Sequence, residues 1–190
     1  MIGVAERLIA AWLRHETHGV NALAAQLPLN RIGGGTDDAP QTVAIYCASE
    51  DGEGSAEALV ATKIEPPTVP AIVVYAYDAS PTAAKGYRIA KDVHIAVFFM
   101  VAQDTPTFAM NRQAETILRA ADLSLFLFNK VRLSHAYREL NQIRIVDIAS
   151  VREHRALESN GRYKTPGLLE VHVTAGDGYG VMTPSLAASA

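Results

Sequence analysis

Residues 87–102 constrain the fold of this chain more than any other segment. Their first half alternates apolar and polar residues, which is typical of a strand in a sheet with one face in water. The second half is apolar at odd and even positions alike, so both of its faces should be covered. We expect helices on one face and a second polypeptide on the other. The side chains predicted at this oligomer interface are Ile95, Val97, Phe98, Phe99 and Val101.

The composition is that of one globular domain. The chain has 190 residues, of which 49% are apolar, and this is enough to form a sizeable core. Cys47 is the only cysteine, so no disulfide can form within the chain and the fold must depend on that core. A net charge of −3 argues against a general nucleic-acid binder, which needs clustered Lys and Arg.

The start of the chain argues against secretion. Glu6 and Arg7 fall where a signal peptide would have its apolar core, and such a core tolerates no charge. No uncharged apolar stretch reaches the length that spans a bilayer. We therefore expect a protein that is made in the cytoplasm and has no membrane partner.

Hydrophobic periodicity places the helices and strands. A helix is predicted over residues 4–14, and a shorter apolar segment over residues 20–27 is expected to extend it by a half-turn. Thr105 as N-cap and Pro106 at the first helical position predict the start of a central helix. The predicted strands cover residues 42–48, 71–77, 87–102, 142–153 and 168–175.

This order of elements predicts the fold class. Only two main helices separate the runs of strands, which favours an α+β fold over a doubly wound one. We predict a mainly antiparallel sheet packed against the N-terminal and central helices, with long loops. Residues 1–176 form a single domain in this prediction, and residues 177–190 form a flexible C-terminal tail.

The motifs that carry chemistry are absent or incomplete. A zincin helix needs two His four residues apart, whereas His15 and His18 are three apart and Gly19 is expected to end the helix. The run of three glycines at 33–35 lacks the Lys-Ser or Lys-Thr pair of a P-loop. No Gly-x-Ser-x-Gly nucleophile elbow occurs. We therefore predict no catalytic residue, no metal site and no cofactor.

Two charged segments are candidates for partner contacts, although a solvated charge run is the ordinary alternative for each. The first is an acidic loop that contains Glu50, Asp51, Glu53 and Glu57. The second is a basic hairpin tip that contains Arg155, Arg162 and Lys164.

The organisation resembles the tail terminator (tail completion) proteins of tailed bacteriophages, which sit at the head–tail junction. The resemblance covers residues 4–175. It rests on an N-terminal helix with Trp12, a long strand that leads into the Thr105-Pro106 helix, and a final hairpin of residues 142–147 and 168–173.

The resemblance implies a virion protein that is assembled in the host cytoplasm. It implies a homo-oligomeric ring, commonly hexameric, that caps the tail tube and docks the neck or connector proteins. DNA would only pass through the lumen, which the acidic loop would face. Sheet edges and the doubly apolar strand would supply the contacts between subunits. The alternatives are a non-catalytic ligand- or protein-binding adaptor of bacterial origin, and an enzyme whose site is assembled from residues far apart in sequence.

Overall fold

The computed structural model describes residues 2–27, 42–48, 70–81, 90–103, 108–131, 143–153, 157–159 and 162–176. These ranges contain three helices: α1 (Ile2–Leu13), α2 (Val20–Gln26) and α3 (Phe108–Val131). They also contain six strands: β1 (Ala44–Cys47), β2 (Ala71–Pro81), β3 (Ala90–Gln103), β4 (Ile143–Glu153), β5 (Leu157–Ser159) and β6 (Arg162–Gly176). The acidic loop and residues 177–190 lie outside the described residues.

The strands form one mixed sheet in the order β1-β2-β3-β6-β4, and β5 pairs with the start of β6. The β1–β2 pair is parallel and every other pair is antiparallel. The predicted α+β class is therefore confirmed. The non-sequential neighbours β3 and β6 bring together residues that lie about 80 positions apart along the chain, as in the Asp92–Thr174 pair.

Strand β2 continues past the end that we predicted at Tyr77. Its register against β3 shifts between Ala76 and Asp78, and the pairing then runs on to Pro81. A bulge of this kind adds one residue to a strand without ending it. The backbone N–H of Ala76 donates to the Glu6 carboxylate of α1, which is only 3% exposed. The buried Glu6 carboxylate therefore binds the backbone of β2 at the bulge.

One hydrophobic core lies between the sheet and the helices. Odd-numbered residues of β3 and β6 face it, together with apolar residues of all three helices. The largest of its fully buried side chains are Trp12, Phe99, Phe128, Ile9, Leu13, Ile72, Ile95, Leu125, Ile143, Leu169 and Val20. All described helices contribute to this one core.

This burial corrects the predicted oligomer interface. Ile95, Val97, Phe99 and Val101 are 0–1% exposed in the single chain, and all four belong to its own core. They share one face of β3, and that face packs against α1 and α3. Of the five predicted interface residues, only Phe98 lies on the other face, where it is half-buried. The four core residues are therefore not available to a second subunit.

The region of His15 and His18 is held to α3 through Trp12. The indole Nε1 of Trp12 donates to the Ser124 carbonyl at 2.7 Å, and the Ser124 hydroxyl donates to the His18 carbonyl at 2.7 Å. The His15 ring stacks on that of His18 at 5.2 Å. Nδ1 of His15 accepts hydrogen bonds from the backbone N–H groups of Thr17 and His18. This nitrogen therefore stabilises the turn after α1.

Both outer strands of the sheet are bound along their outer edge by helix side chains. Asn21 of α2 exchanges two hydrogen bonds with the backbone of Val43, next to β1, at 2.8 and 3.1 Å. Asn129 of α3 does the same with Ile145 of β4, at 2.6 and 3.1 Å. Arg14 also donates to the Ile45 carbonyl. At these positions the edges cannot add a strand from another chain.

Candidate interaction surface

The second face of the sheet, which we call the open face, is the candidate functional site. The register places alternate residues of each strand on this face, opposite the core. Ala71, Val73 and Ala96 of this face are buried, yet they are not part of the core cluster. The apolar side chains of the described helices therefore belong to a cluster that does not include these three residues.

One half of the open face is apolar. Val73 of β2, Phe98 of β3 and Leu168 of β6 form a row across three strands. Phe98 and Leu168 are half-buried, as is Met100 in the neighbouring row. Half-buried large apolar side chains on a sheet face are typical of a surface that meets another protein.

The other half of the open face is built around two histidines. His94 of β3 pairs with His172 of β6, and their rings stack with centroids 4.6 Å apart and an interplanar angle of 13°. Asp78 of β2 flanks His94, and Asp147 of β4 flanks His172. The row therefore reads acid, imidazole, imidazole, acid across four strands.

Asp92 completes the surroundings of the histidine pair. Its Oδ1 accepts the Thr174 hydroxyl at 3.0 Å and lies 3.7 Å from Nε2 of His172. That nitrogen is buried and has no hydrogen-bond partner. The carboxylates beside the two rings can hold a cationic group. Among the described residues, however, no three His, Cys, Asp or Glu side chains are placed to hold a metal ion.

Two exposed residues stand at bulges beside this row. Tyr77, at the β2 bulge, is 49% exposed, and Val146, at a β4 bulge, is 53% exposed. The Tyr77 ring lies 6.0 Å from His94 and 6.3 Å from Tyr75. Bulges re-aim side chains beside functional sites, and here they present an aromatic and an aliphatic residue to solvent.

The histidine half of the open face is acidic. Burial raises the pKa of the Tyr77 phenol above its ordinary value of 10.0, and the charges of Glu170, Tyr75 and Asp78 raise it further. The described carboxylates of this half are Asp78, Asp92, Asp147 and Glu170, against the single described basic side chain of Arg144. The surface therefore favours a cationic partner.

The other predicted site residues lie elsewhere. Glu50, Asp51, Glu53 and Glu57 of the acidic loop are outside the described residues, as is Arg155. Arg162 and Lys164 belong to β6, at the end that pairs with β5. The register of β6 places Arg162 and Lys164 eight or more residues along the strand from His172.

The histidine pair itself was missed from the sequence. His94 and His172 both stand at the polar positions of alternating strands, which predicts a wet sheet face for each. Only the β3–β6 pairing makes them neighbours, and this pairing joins strands separated by α3, β4 and β5. In the sequence, the only sign of the pair was that both histidines occupy polar positions of strands that alternate apolar and polar residues.

No protein-family model matches the sequence, and no curated protein matches it. In the described ranges, no helix combines the length and apolar character needed to cross a bilayer.

Proposed function

We propose that this protein is a structural protein of a phage or phage-like particle. In this proposal it resembles a tail terminator: it forms a ring at the head–tail junction, caps the tail tube and docks the neck. The observation that carries the proposal is the open face. It combines half-buried apolar residues, exposed bulge residues and a charged half, which suits a surface that packs against protein.

The order of elements supports the same proposal. The N-terminal helix α1, which bears Trp12, and the short helix α2 precede three strands; the long helix α3 and the strands β4, β5 and β6 follow. This is the order on which the resemblance to tail terminators rests. It now comes with a sheet whose helices contribute to one core on one side. In this proposal the contacts between subunits use the other side of the sheet.

The helix bonds at the two outer strands favour contacts through a face of the sheet. Asn21 and Arg14 bind the β1 edge, and Asn129 binds the β4 edge. Subunits that joined edge to edge at Val43, Ile45 or Ile145 would have to break these bonds first. A head-to-tail contact through the open face closes a ring when its rotation closes. Such a ring leaves two rims for the tail tube and for the neck or connector proteins.

The remaining parts of the proposal concern the setting of the ring. The acidic loop with Glu50, Asp51, Glu53 and Glu57 would face a lumen through which DNA only passes, because like charge keeps DNA from adhering. The ring would assemble in the host cytoplasm and end in the virion. It would need no cofactor.

The first test measures mass in solution. We expect the purified full-length chain to form a closed oligomer, alone or when tail tubes are added, as measured by light scattering coupled to size exclusion and by negative-stain imaging. A chain that stays monomeric at high concentration, with or without tail tubes, contradicts the proposal and favours the binding adaptor.

A pair of matched variants tests the surface. We expect Phe98→Asp to weaken assembly, because it places a charge in the apolar half of the open face. Phe126→Asp is the control, since Phe126 is 55% exposed on α3, away from the sheet's open face. Equal assembly by the two variants would exclude the open face as the interface.

A further inference from the structure

We propose that Glu6 is a positioning residue that determines which side chains of β2 reach the open face. Its buried carboxylate fixes the position of the β2 bulge, and the bulge places Tyr77 and Asp78 beside His94. This inference rests on the proposed use of the open face as an interaction surface. It assigns a role in that surface to a residue of α1, a helix on the core side of the sheet.

The bulge reverses the alternation of side chains along β2. Residues that oppose each other in an antiparallel pair point to the same face of the sheet. Before the bulge, Ala76 opposes Ile95, which belongs to the core. After the bulge, Asp78 opposes His94 on the open face. The extra residue, Tyr77, therefore changes the positions of β2 that face the core from even to odd.

The charge of Asp78 requires a bulge somewhere before it. In a regular strand, Tyr77 would oppose His94, and Asp78 would oppose Val93, which is 0% exposed. A carboxylate at that position would enter the core, and a buried charge without a partner is costly. A bulge at any earlier position of β2 would avoid this cost, so Asp78 does not determine where the bulge lies.

Glu6 supplies the contact that selects the position of the bulge. Its carboxylate accepts the backbone N–H of Ala76, the last residue before the register shift. Ala76 lies two residues beyond Val74, the last residue of β2 that pairs with β1. Glu6 is also the only charged residue that is buried in the described part of the chain. Because a buried carboxylate is costly without hydrogen bonds, the fold favours the register that keeps this contact.

The position of the bulge decides where the Tyr77 ring lies. Tyr77 is 49% exposed, and its ring centroid lies 6.0 Å from that of His94. A bulge two residues earlier would keep Asp78 opposite His94 but would place Tyr77 opposite Ile95, on the core side. A bulge fixed at Ala76 therefore keeps both Tyr77 and Asp78 on the open face.

The experiment measures the accessibility of single thiols in a Cys47→Ala background. The first probe is Asp78→Cys, which also removes the charge that keeps residue 78 out of the core. The second probe combines Asp78→Ala with Ala79→Cys. With Glu6 present, the thiol at position 78 should react with a soluble disulfide reagent about fivefold faster than the thiol at position 79, because reactivity follows exposure. Glu6→Leu removes the acceptor, so it should slow the first thiol, accelerate the second and reverse their order.

Three controls separate the position of the bulge from the stability of the fold. Glu6→Gln keeps a carbonyl acceptor at the same distance from the backbone, so it should keep the native order of the two rates. Ile9→Val trims a buried side chain of the same helix and should also keep that order. Deletion of Tyr77 removes the extra residue, so the thiol at position 78 should react fast whether residue 6 is Glu or Leu. Glu6→Met, which also lacks a carboxylate, replaces Glu6→Leu if that variant does not fold.

Assembly is then measured by light scattering on Glu6→Leu and Glu6→Gln in the otherwise unmodified chain. We expect only Glu6→Leu to assemble more weakly. An unchanged order of thiol rates in Glu6→Leu would overturn the inference and leave the ring proposal standing. Two rates that rise together would show that Glu6 only stabilises the fold, which also overturns it, as would a reversed order in Glu6→Gln. An unmodified chain that stays monomeric while Glu6→Leu reverses the rates would support the role of Glu6 and contradict the ring.

Discussion

Tyr77 shows how one residue reports on the open face. It occupies the bulge of β2, and its ring lies within 6.3 Å of both His94 and Tyr75. Burial, followed by the charges of Glu170, Tyr75 and Asp78, raises the pKa of its phenol. The folded chain therefore favours the neutral phenol more than the unfolded chain does.

This shift predicts a delayed alkaline titration. Below the unfolded pKa of about 10 the stabilising contribution is fully present, and it is lost as the pH rises through the higher folded pKa. We expect tyrosinate absorbance of the native protein to contain one late step that Tyr77→Phe removes. Asp78→Asn, which deletes one of the neighbouring charges, should move that step to lower pH. If the step that Tyr77→Phe removes lies at the pH of an ordinary tyrosine, no such negative surface exists.

At the scale of the element, the pairing of β6 with β3 depends on Gly167. It pairs with Phe99 across β3 and β6, and a Cβ atom at this position would overlap the Phe99 ring. The ring thus lies over the glycine, as aromatic residues do over glycines in other sheets. Strand β6 can stay flat against β3 only while residue 167 has no side chain.

We expect Gly167→Ala to destabilise the fold by about 1–3 kcal/mol, because overpacking forces the ring or the strand to move. Urea unfolding measures the change. Phe99→Leu in the same background is the matched control: the smaller side chain relieves the overlap, so the double variant should lose less than the sum of the two single changes. Strictly additive losses would mean that the ring does not lie over Gly167.

The elements also show what the sequence could and could not predict. Alternation located β3, and the stripe of α3 located the helical layer, because both patterns are local. The start of β6 was predicted as a hairpin tip, because Asn160-Gly161 and Pro166 are typical of turns. Pro166 is tolerated in the strand since it pairs with Met100 on one side and with neither β4 nor β5 on the other.

At the scale of the molecule, the two faces of the apolar half of β3 lie in different surroundings: one belongs to the core and the other to the open face. The apolar pattern predicted that both faces are covered, but it could not say which face is the core; in the structure the odd-numbered residues of β3 belong to the core. That assignment depends on which parity meets α1 and α3, a non-local property. The same limit applied to the histidine pair of the open face, whose partners come from separate parts of the chain.

Phe99→Asp and Phe98→Asp should therefore fail differently. Phe99 is 0% exposed, so a charge there should cost about 5 kcal/mol or more, a large part of a typical total stability of about 5–15 kcal/mol. We expect Phe99→Asp to lose the cooperative thermal transition, whereas Phe98→Asp should keep it. Circular dichroism melts distinguish the two, and a folded Phe99→Asp protein would contradict the assigned core.

The asparagine bonds at the two outer strands make the fold sensitive to slow chemical ageing. Each carboxamide offers a donor to one carbonyl and an acceptor to one amide of the same residue. Hydrolysis of Asn129 to aspartate would replace the donor with a second oxygen, and the carbonyl of Ile145 would then face an anion. The β4 border would loosen without any change in the core. In old preparations the backbone groups of Ile145 would accordingly be the first to lose their partner.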